Sequence, residues 1–217
     1  MKQKNTKQVN AKQEKVFPSM QQTFLMIKPD GVKRGLAGKI FSKLEEAGLK
    51  LVAARMIMAS QEQARKNYPG TSEWLSGLGQ KTWDNYDGDE KRIKSDLGTA
   101  DKKEIGQKVY DGLVLYLTSG PVVISVWEGN EAVKIVRKLA GSTDPTRADV
   151  GTIRGNWGYD TPQLAVKSGR VVFQTLVHIS DSPEEAQREI KHWFGDKFKD
   201  LSNYERIDYM GAFDIFK

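Results

Sequence analysis

The chain contains no cysteine, which excludes disulfide bonds and thiolate metal sites. No apolar run approaches the roughly 20 residues that a membrane-spanning helix needs. The GxxxxGK[ST] motif is missing, as are the HRD and DFG motifs, which excludes a P-loop ATPase and a protein kinase of the usual type. We therefore expect a cytoplasmic protein that does not enter a membrane. With only two histidines among 217 residues, a reactive imidazole has few possible positions.

Positive charge is unevenly distributed along the chain. The formal net charge is +6, and residues 1–20 contain five lysines and one glutamate, so that the remaining residues carry only +2. Residues 1–15 contain no aromatic side chain that could stack on a base. We therefore predict a flexible, basic, polar tail at 1–20 and a separate domain at 21–217, and we do not expect a nucleic-acid-binding module.

Strand and helix patterns alternate through the domain. Apolar, strand-like segments occur at residues 22–27, 49–58, 121–127 and 170–177. Helical spacing or helix-start signals occur at residues 36–47, 62–68, 132–139 and 183–194. This order favours one α/β or α+β domain, and the ferredoxin-like split βαβ arrangement is a natural candidate.

Two segments interrupt this alternation. Residues 70–108 are polar but contain Trp74, Trp83 and Tyr86, so we expect this segment to fold onto other parts of the chain. Residues 141–169 have the composition of a loop.

His178 is the first candidate for chemistry. It ends an apolar strand-like run and precedes Ser182-Pro183, a helix start whose positive end could hold a negatively charged group. From spacing alone, a core or surface histidine is the commoner explanation. Ser180 and Glu189 favour the functional alternative, because a carboxylate that binds one imidazole nitrogen leaves the other free to attack. His192 lies off the apolar stripe of its helix, so we expect a solvated surface residue.

Three cations are candidates for binding phosphate. Lys28 follows an apolar strand and precedes a Pro-Asp-Gly turn, a position where loops gather ligand-binding groups. Arg154 lies in the segment GTIRG and Arg137 lies in a predicted helix. Each arginine alone is most often a surface charge, although arginine and lysine are the usual donors to phosphate.

Five segments, in order, resemble the signature segments of the nucleoside diphosphate kinase family. They are Thr23 to Val32 (TFLMIKPDGV), Ser119 to Val123 (SGPVV), Trp127 to Gly129 (WEG), Gly151 to Gly155 (GTIRG) and His178 to Ser182 (HISDS). The resemblance covers about residues 22–195, interrupted by inserts at about 70–108 and 156–169. It implies an α+β fold with a ferredoxin-like βαββαβ core, in which helices cover a four-stranded antiparallel sheet.

The resemblance also implies a reaction. The family moves the γ-phosphate of ATP or another nucleoside triphosphate to a histidine, and then to a nucleoside diphosphate. In this sequence His178 would be that nucleophile, oriented by Glu189 and Ser180. Mg²⁺ would bridge the phosphates, and family members are usually homo-oligomers. The phosphate contacts implied by the resemblance are Lys28, Tyr68, Arg137, Thr143 and Arg154.

The positions that face the nucleoside depart from the family pattern. Val109, with Tyr110 beside it, stands where the family has a phenylalanine that stacks on the base. Thr175 replaces an asparagine that contacts the sugar, and Ile179 replaces a glycine. These departures leave open a regulatory paralogue that binds nucleotide with little or no turnover, although we favour the active kinase.

The aromatic residues of the first insert have two explanations. Trp74, Trp83 or Tyr86 could stack on the base in place of the missing phenylalanine. Alternatively, they bury the apolar surface of the insert or contact a neighbouring subunit, and we favour this explanation.

Overall fold

The structure is a computed structural model that describes residues 20–195. The predicted tail at 1–20 therefore lies outside the described residues, except for Met20, and so do residues 196–217. None of the helices within residues 20–195 has both the length and the apolar character needed to cross a bilayer.

A four-stranded antiparallel sheet forms the centre of the described chain. Its strands are β1 (Met20–Ile27), β2 (Lys50–Ile57), β3 (Val122–Asn130) and β4 (Val177–Ile179), in the order β2-β3-β1-β4. Strand β1 is buried from Thr23 to Ile27 because both of its faces are covered. The predicted α+β, ferredoxin-like fold is confirmed.

Helices cover both faces of the sheet. Phe24 and Met26 point into an apolar cluster on one face, and Leu25 and Ile27 point into a cluster on the other, as the period of a strand requires. The α-helices are α1 (Pro29–Lys33), α2 (Ala37–Glu46), α3 (Gln61–Lys66), α4 (Ser72–Asn85), α5 (Glu90–Leu97), α6 (Lys102–Thr118), α7 (Ala132–Ala140), α8 (Ile153–Trp157), α9 (Pro162–Lys167) and α10 (Pro183–Phe194).

Residues 70–108 fold into α4, α5 and the first turns of α6, around an apolar cluster of their own. Helix α4 packs backbone to backbone on α6. A Cβ atom added at Gly79 would lie 1.7 Å from the carbonyl oxygen of Lys102, and one added at Gly106 would lie 1.8 Å from that of Leu75. These distances are far below van der Waals contact, so the observed packing of α4 on α6 depends on both glycines.

Two sequence predictions are wrong in this part of the fold. The strand predicted at 170–177 is reduced to Val177–Ile179. Val171 and Val172 pack against the apolar cluster of the insert instead of joining the sheet, and Leu176 adopts a left-handed backbone (φ 64°). The stretch 141–169, expected to be a loop, contains α8 and α9, which begin after the capping threonines Thr152 and Thr161.

Candidate active site

A cavity of about 520 Å³ opens beside β4. Most of the residues predicted for the site line it, although they come from distant parts of the sequence. Those lining residues are Lys28, Tyr68, Arg137, Thr143, Arg154, Thr175, His178 and Glu189. Of the remaining two, Ser180 is buried and hydrogen bonds Glu189, and Val109 is buried in the apolar cluster of the insert.

His178 is held by a buried carboxylate. Strand β4 pairs His178 with Met26 of β1, and α10 places Glu189 beside the imidazole. The distance from His178 Nε2 to Glu189 Oε1 is 2.5 Å, and Ser180 Oγ donates to Glu189 Oε2 at 2.6 Å. We assign the proton to Nε2, because an ionised carboxylate can only accept. Nδ1 then keeps its lone pair and is free to act as a nucleophile.

The helix that follows β4 begins next to this histidine. Ser182 caps α10 by accepting a hydrogen bond from the backbone N–H of Glu185, and Pro183 occupies the first turn, as the sequence predicted. The positive end of a helix 12 residues long therefore lies a few residues from the imidazole. This arrangement favours negative charge near His178.

Lys28 lies at the end of β1, where the chain turns into α1. Its Nζ donates to Thr175 Oγ1 at 2.8 Å, and its side chain is buried. Burial, reinforced by the charge of Arg154 and opposed by Asp30, lowers the pKa of Lys28 to about 7. A phosphate in the cavity would supply the negative charge that favours the protonated ammonium.

Arg154 is buried, and its guanidinium forms hydrogen bonds with two separate segments of the chain. Its Nε donates to the carbonyl of Thr175 at 3.1 Å, Nη1 to that of Gly141 at 2.8 Å and Nη2 to that of Val177 at 2.9 Å. Burial and then the charge of Arg137 lower the pKa of Arg154 to about 10. Because a guanidinium has five N–H donors, two remain for a ligand.

Several residues that contact the site were not predicted from the sequence. Asp30 accepts from the Tyr116 hydroxyl and from the backbone N–H of Leu176, so it holds the loop before His178. Burial and the adjacent Asp30 raise the pKa of Tyr116. Asp181 pairs with Arg137 at the cavity wall. The position of Asp30 in the Lys-Pro-Asp-Gly turn was the one feature of the sequence that could have indicated this residue. No feature of the sequence predicts its hydrogen bond with Tyr116.

The aromatic residues of the insert divide into two groups. Trp74 lines the cavity and stacks on Tyr68, with ring centroids 5.7 Å apart, and Tyr68 meets the His178 ring edge to face at 6.0 Å. Trp83 and Tyr86 lie in the apolar cluster of the insert, where Trp83 Nε1 donates to the Ala100 carbonyl. The explanation that they bury the insert therefore applies to these two residues, but not to Trp74.

His192 differs from its prediction as a solvated residue. It is half-buried, and its Nε2 lies 2.8 Å from the carbonyl oxygen of Gln63. Its ring also contacts Trp193. His192 does not line the cavity, so His178 is the histidine that a ligand there can reach.

The arrangement suits transfer of a phosphoryl group. The imidazole of His178, with one ring nitrogen free, lies in a cavity whose lining includes the cationic side chains of Lys28, Lys81, Arg137, Arg154 and Arg188. Phosphoryl transfer needs positioning and charge neutralisation more than further covalent help from the protein.

Comparisons with known proteins agree with this geometry. A family model described as nucleoside diphosphate kinase matches residues 21–74 and 97–198. A nucleoside diphosphate kinase of Pyrobaculum aerophilum is 51% identical over 177 residues, which cover 81% of this chain and 95% of that protein. One of Archaeoglobus fulgidus is 37% identical over 189 residues, 87% of this chain and 95% of that protein.

Solved structures give the same result. The crystal structure of an NDP kinase from Pyrobaculum aerophilum has a TM-score of 0.76 at 46% identity, and the match covers 82% of this chain and 97% of that one. A nucleoside diphosphate kinase from Borrelia burgdorferi, a transition-state mimic with vanadate and ADP, has a TM-score of 0.67 at 32% identity, with 88% and 96% covered. The family match leaves out residues 75–96, whereas 156–169 lie inside it.

Proposed function

The chain belongs to the nucleoside diphosphate kinase family and is a nucleoside diphosphate kinase, and from this premise we propose that His178 carries the phosphoryl group between two nucleotides. His178 Nδ1 attacks the γ-phosphorus of a nucleoside triphosphate such as ATP. A P–N bond forms, the bond to the bridging oxygen breaks, and the nucleoside diphosphate leaves with that oxygen. A second nucleoside diphosphate then attacks phospho-His178 and regenerates the free imidazole.

The hydrogen bond between His178 and Glu189 is the observation that carries this proposal. Because Glu189 is only 2% exposed, its charge is poorly screened and can stabilise the positive charge that builds up on the imidazole during attack. Ser180 holds the other carboxylate oxygen and fixes the orientation of the pair.

The cationic side chains would hold the phosphates in line with Nδ1. Lys28, Arg137 and the two remaining N–H donors of Arg154 would neutralise charge, and Thr143 would donate a hydrogen bond. The Tyr68 hydroxyl is buried and has no hydrogen-bond partner within the described residues, so a phosphate oxygen there would satisfy it. Thr175 would contact the ribose.

Mg²⁺ fits this site only through the substrate. No group of three or more acidic or histidine side chains able to hold a metal ion occurs within residues 20–195. Mg²⁺ commonly binds through substrate phosphates and water, with one or two carboxylates. Asp181 is the exposed carboxylate at the cavity wall that could take such a place. When bound, the ion would neutralise phosphate charge.

The assembly and location of the protein belong to the same proposal. We propose a homo-oligomer, supported by Met56 of the edge strand β2 and nearby Met58, whose side chains are both more than 60% exposed. A cytoplasmic location fits an enzyme whose substrates are nucleoside triphosphates. The tail at 1–20 would lie outside the catalytic domain at 21–217.

The test is labelling with ATP that carries radioactive γ-phosphate, in the presence of Mg²⁺. We expect acid-labile label on the wild-type chain, its release by a second nucleoside diphosphate, and no label on His178→Ala. His192→Ala is the matched control and should be labelled normally, because His192 lies outside the cavity. Normal labelling of His178→Ala would overturn the proposal. Nucleotide binding without exchange would instead support the regulatory paralogue.

A further inference from the structure

Helix α4 has one face fixed to the protein and another turned to the cavity. Leu75, Gly79 and Thr82 are buried, at spacings of four and three residues that place them on one face. Gly79 lies against the backbone of α6, as described above. The position of α4 beside the cavity is therefore set by close helix–helix packing.

The second face of α4 forms a wall of the cavity. Trp74, Leu78 and Lys81 all line it, and they too are separated by four and three residues. Because an α-helix rises about 1.5 Å per residue, Lys81 lies about 10 Å farther along the axis than Trp74. Trp74 stacks on Tyr68, which contacts the ring of His178. Trp74 is therefore the residue of this wall that is linked to His178 through Tyr68, and Lys81 lies two turns of the helix beyond Trp74.

This wall lies mostly outside the residues that the family model matches. Leu78 and Lys81 fall within residues 75–96, outside the family match. Val109, the counterpart of the family's stacking phenylalanine, is buried and does not line the cavity. Leu113, one turn farther along α6, does line it. Leu78 and Leu113 are thus the aliphatic side chains from α4 and α6 that a base can contact.

Lys81 adds a charge at the same place. It is exposed and forms no ion pair with any residue between 20 and 195. An ammonium group has three donors and no acceptor. It therefore suits the carbonyl oxygen of guanine, uracil or thymine better than the amino group that adenine or cytosine presents there.

We propose that Leu78 and Lys81 form a base-recognition wall, in which Leu78 packs on the ring and Lys81 selects keto bases. The proposal rests on the proposed function, since it assumes that the phosphates lie at His178. It extends that function by naming the residues that distinguish one nucleotide from another.

The test uses enzyme already phosphorylated by ATP and Mg²⁺, and follows transfer to GDP, UDP, ADP and CDP separately. For Lys81→Ala we expect kcat/KM to fall about fivefold to tenfold for GDP and UDP, with ADP and CDP within about twofold of wild type, as the loss of one partly exposed charged hydrogen bond implies. Because the glutamine side chain both donates and accepts hydrogen bonds, Lys81→Gln should give similar kcat/KM values for the four acceptor nucleotides. Leu78→Ala should lower kcat/KM for all four acceptor nucleotides by about the same factor.

Lys91→Ala is the matched control, because Lys91 is also an exposed lysine and lies on α5, outside the cavity. We expect its transfer rates to equal those of the wild type. An equal loss for all four acceptors in Lys81→Ala would mean that Lys81 binds phosphate or ribose and would overturn the proposal, as would no loss at all. If the wild-type chain takes no label on His178, the proposed function fails instead, so the two failures are distinguishable.

Discussion

Around His178, the side chains that line the cavity come from separate parts of the fold, whereas another part of its wall comes from successive turns of one helix, α4. The region around His178 is held by buried polar contacts, such as those of Arg154 and Glu189. The wall formed by α4 is held by the close packing of α4 on α6. The difference teaches that two parts of one cavity can be fixed by different means, one by hydrogen bonds and the other by backbone contact between helices.

Removal of Arg154 should have the largest effect. Arg154→Met removes three hydrogen bonds and leaves three carbonyl groups without that partner, so we expect the free energy of unfolding to fall by about 3–5 kcal/mol. Arg137→Met is the comparison, because Arg137 is about half exposed and its pair with Asp181 should contribute about 1 kcal/mol or less. Urea unfolding of both variants measures this. Equal losses would mean that the buried contacts of Arg154 do not fix the region around His178.

Replacement of Glu189 should slow the chemistry with little change in shape. Glu189→Gln removes the negative charge beside His178 Nε2, so we expect the rate of phosphorylation by ATP to fall about 100-fold. Ser180→Ala removes only one hydrogen bond to the same carboxylate, so we expect the rate of phosphorylation to fall about threefold to tenfold. Quench-flow measurement of label on the protein gives both rates. A Glu189→Gln rate within threefold of wild type would contradict the assigned role.

The close contact of α4 with α6 can be tested by paired glycine substitutions within α4. Gly79→Ala places a Cβ atom against the Lys102 carbonyl, so we expect a loss of about 2 kcal/mol in unfolding free energy. Gly77→Ala meets nothing within 4 Å and should gain about 0.5–1 kcal/mol, because alanine favours a helix. Urea unfolding distinguishes the two. If Gly79→Ala behaves like Gly77→Ala, the close packing does not fix α4.

The smallest effect concerns the charge of Lys28. Its pKa of about 7 in the free protein should rise when phosphate binds, so nucleotide binding at pH 8 should take up a proton. Affinity should then fall as pH rises above 7, by at most about tenfold per pH unit. Calorimetry in two buffers of different ionisation enthalpy measures the uptake. Lys28→Met should abolish it and Lys33→Met, outside the cavity, should not; equal uptake in both variants would refute the assignment.

Much of the fold was predictable because local and tertiary preferences agree. Residues 24–27 are apolar and lie in the part of β1 that is buried on both faces. Helix α10 runs from Pro183 to Phe194, as predicted, because Ser182 and Pro183 mark its start. The strand predicted at 170–177 failed because Val171 and Val172 have another apolar surface available, that of the insert. No local pattern distinguishes these two destinations.

Site residues were predictable from the sequence where the local pattern alone marks their position. Lys28 directly follows β1, His178 lies in β4, and Glu189 lies in the helix whose start Ser182 and Pro183 mark. The link between Asp30 and Tyr116 joins positions 86 residues apart, so only the folded chain reveals it. The cavity-facing side of α4 was missed for a related reason: its orientation depends on which helix it packs against.

The reciprocal glycines also limit how the 75–96 segment can be transplanted. A relative that received this segment but carried any side chain at the position of Gly106 would push the backbone of Leu75 away, and α4 would no longer reach the cavity. Residues 75–96 and helix α6 would therefore have to be transferred together to reproduce this wall of the cavity in another member of the family.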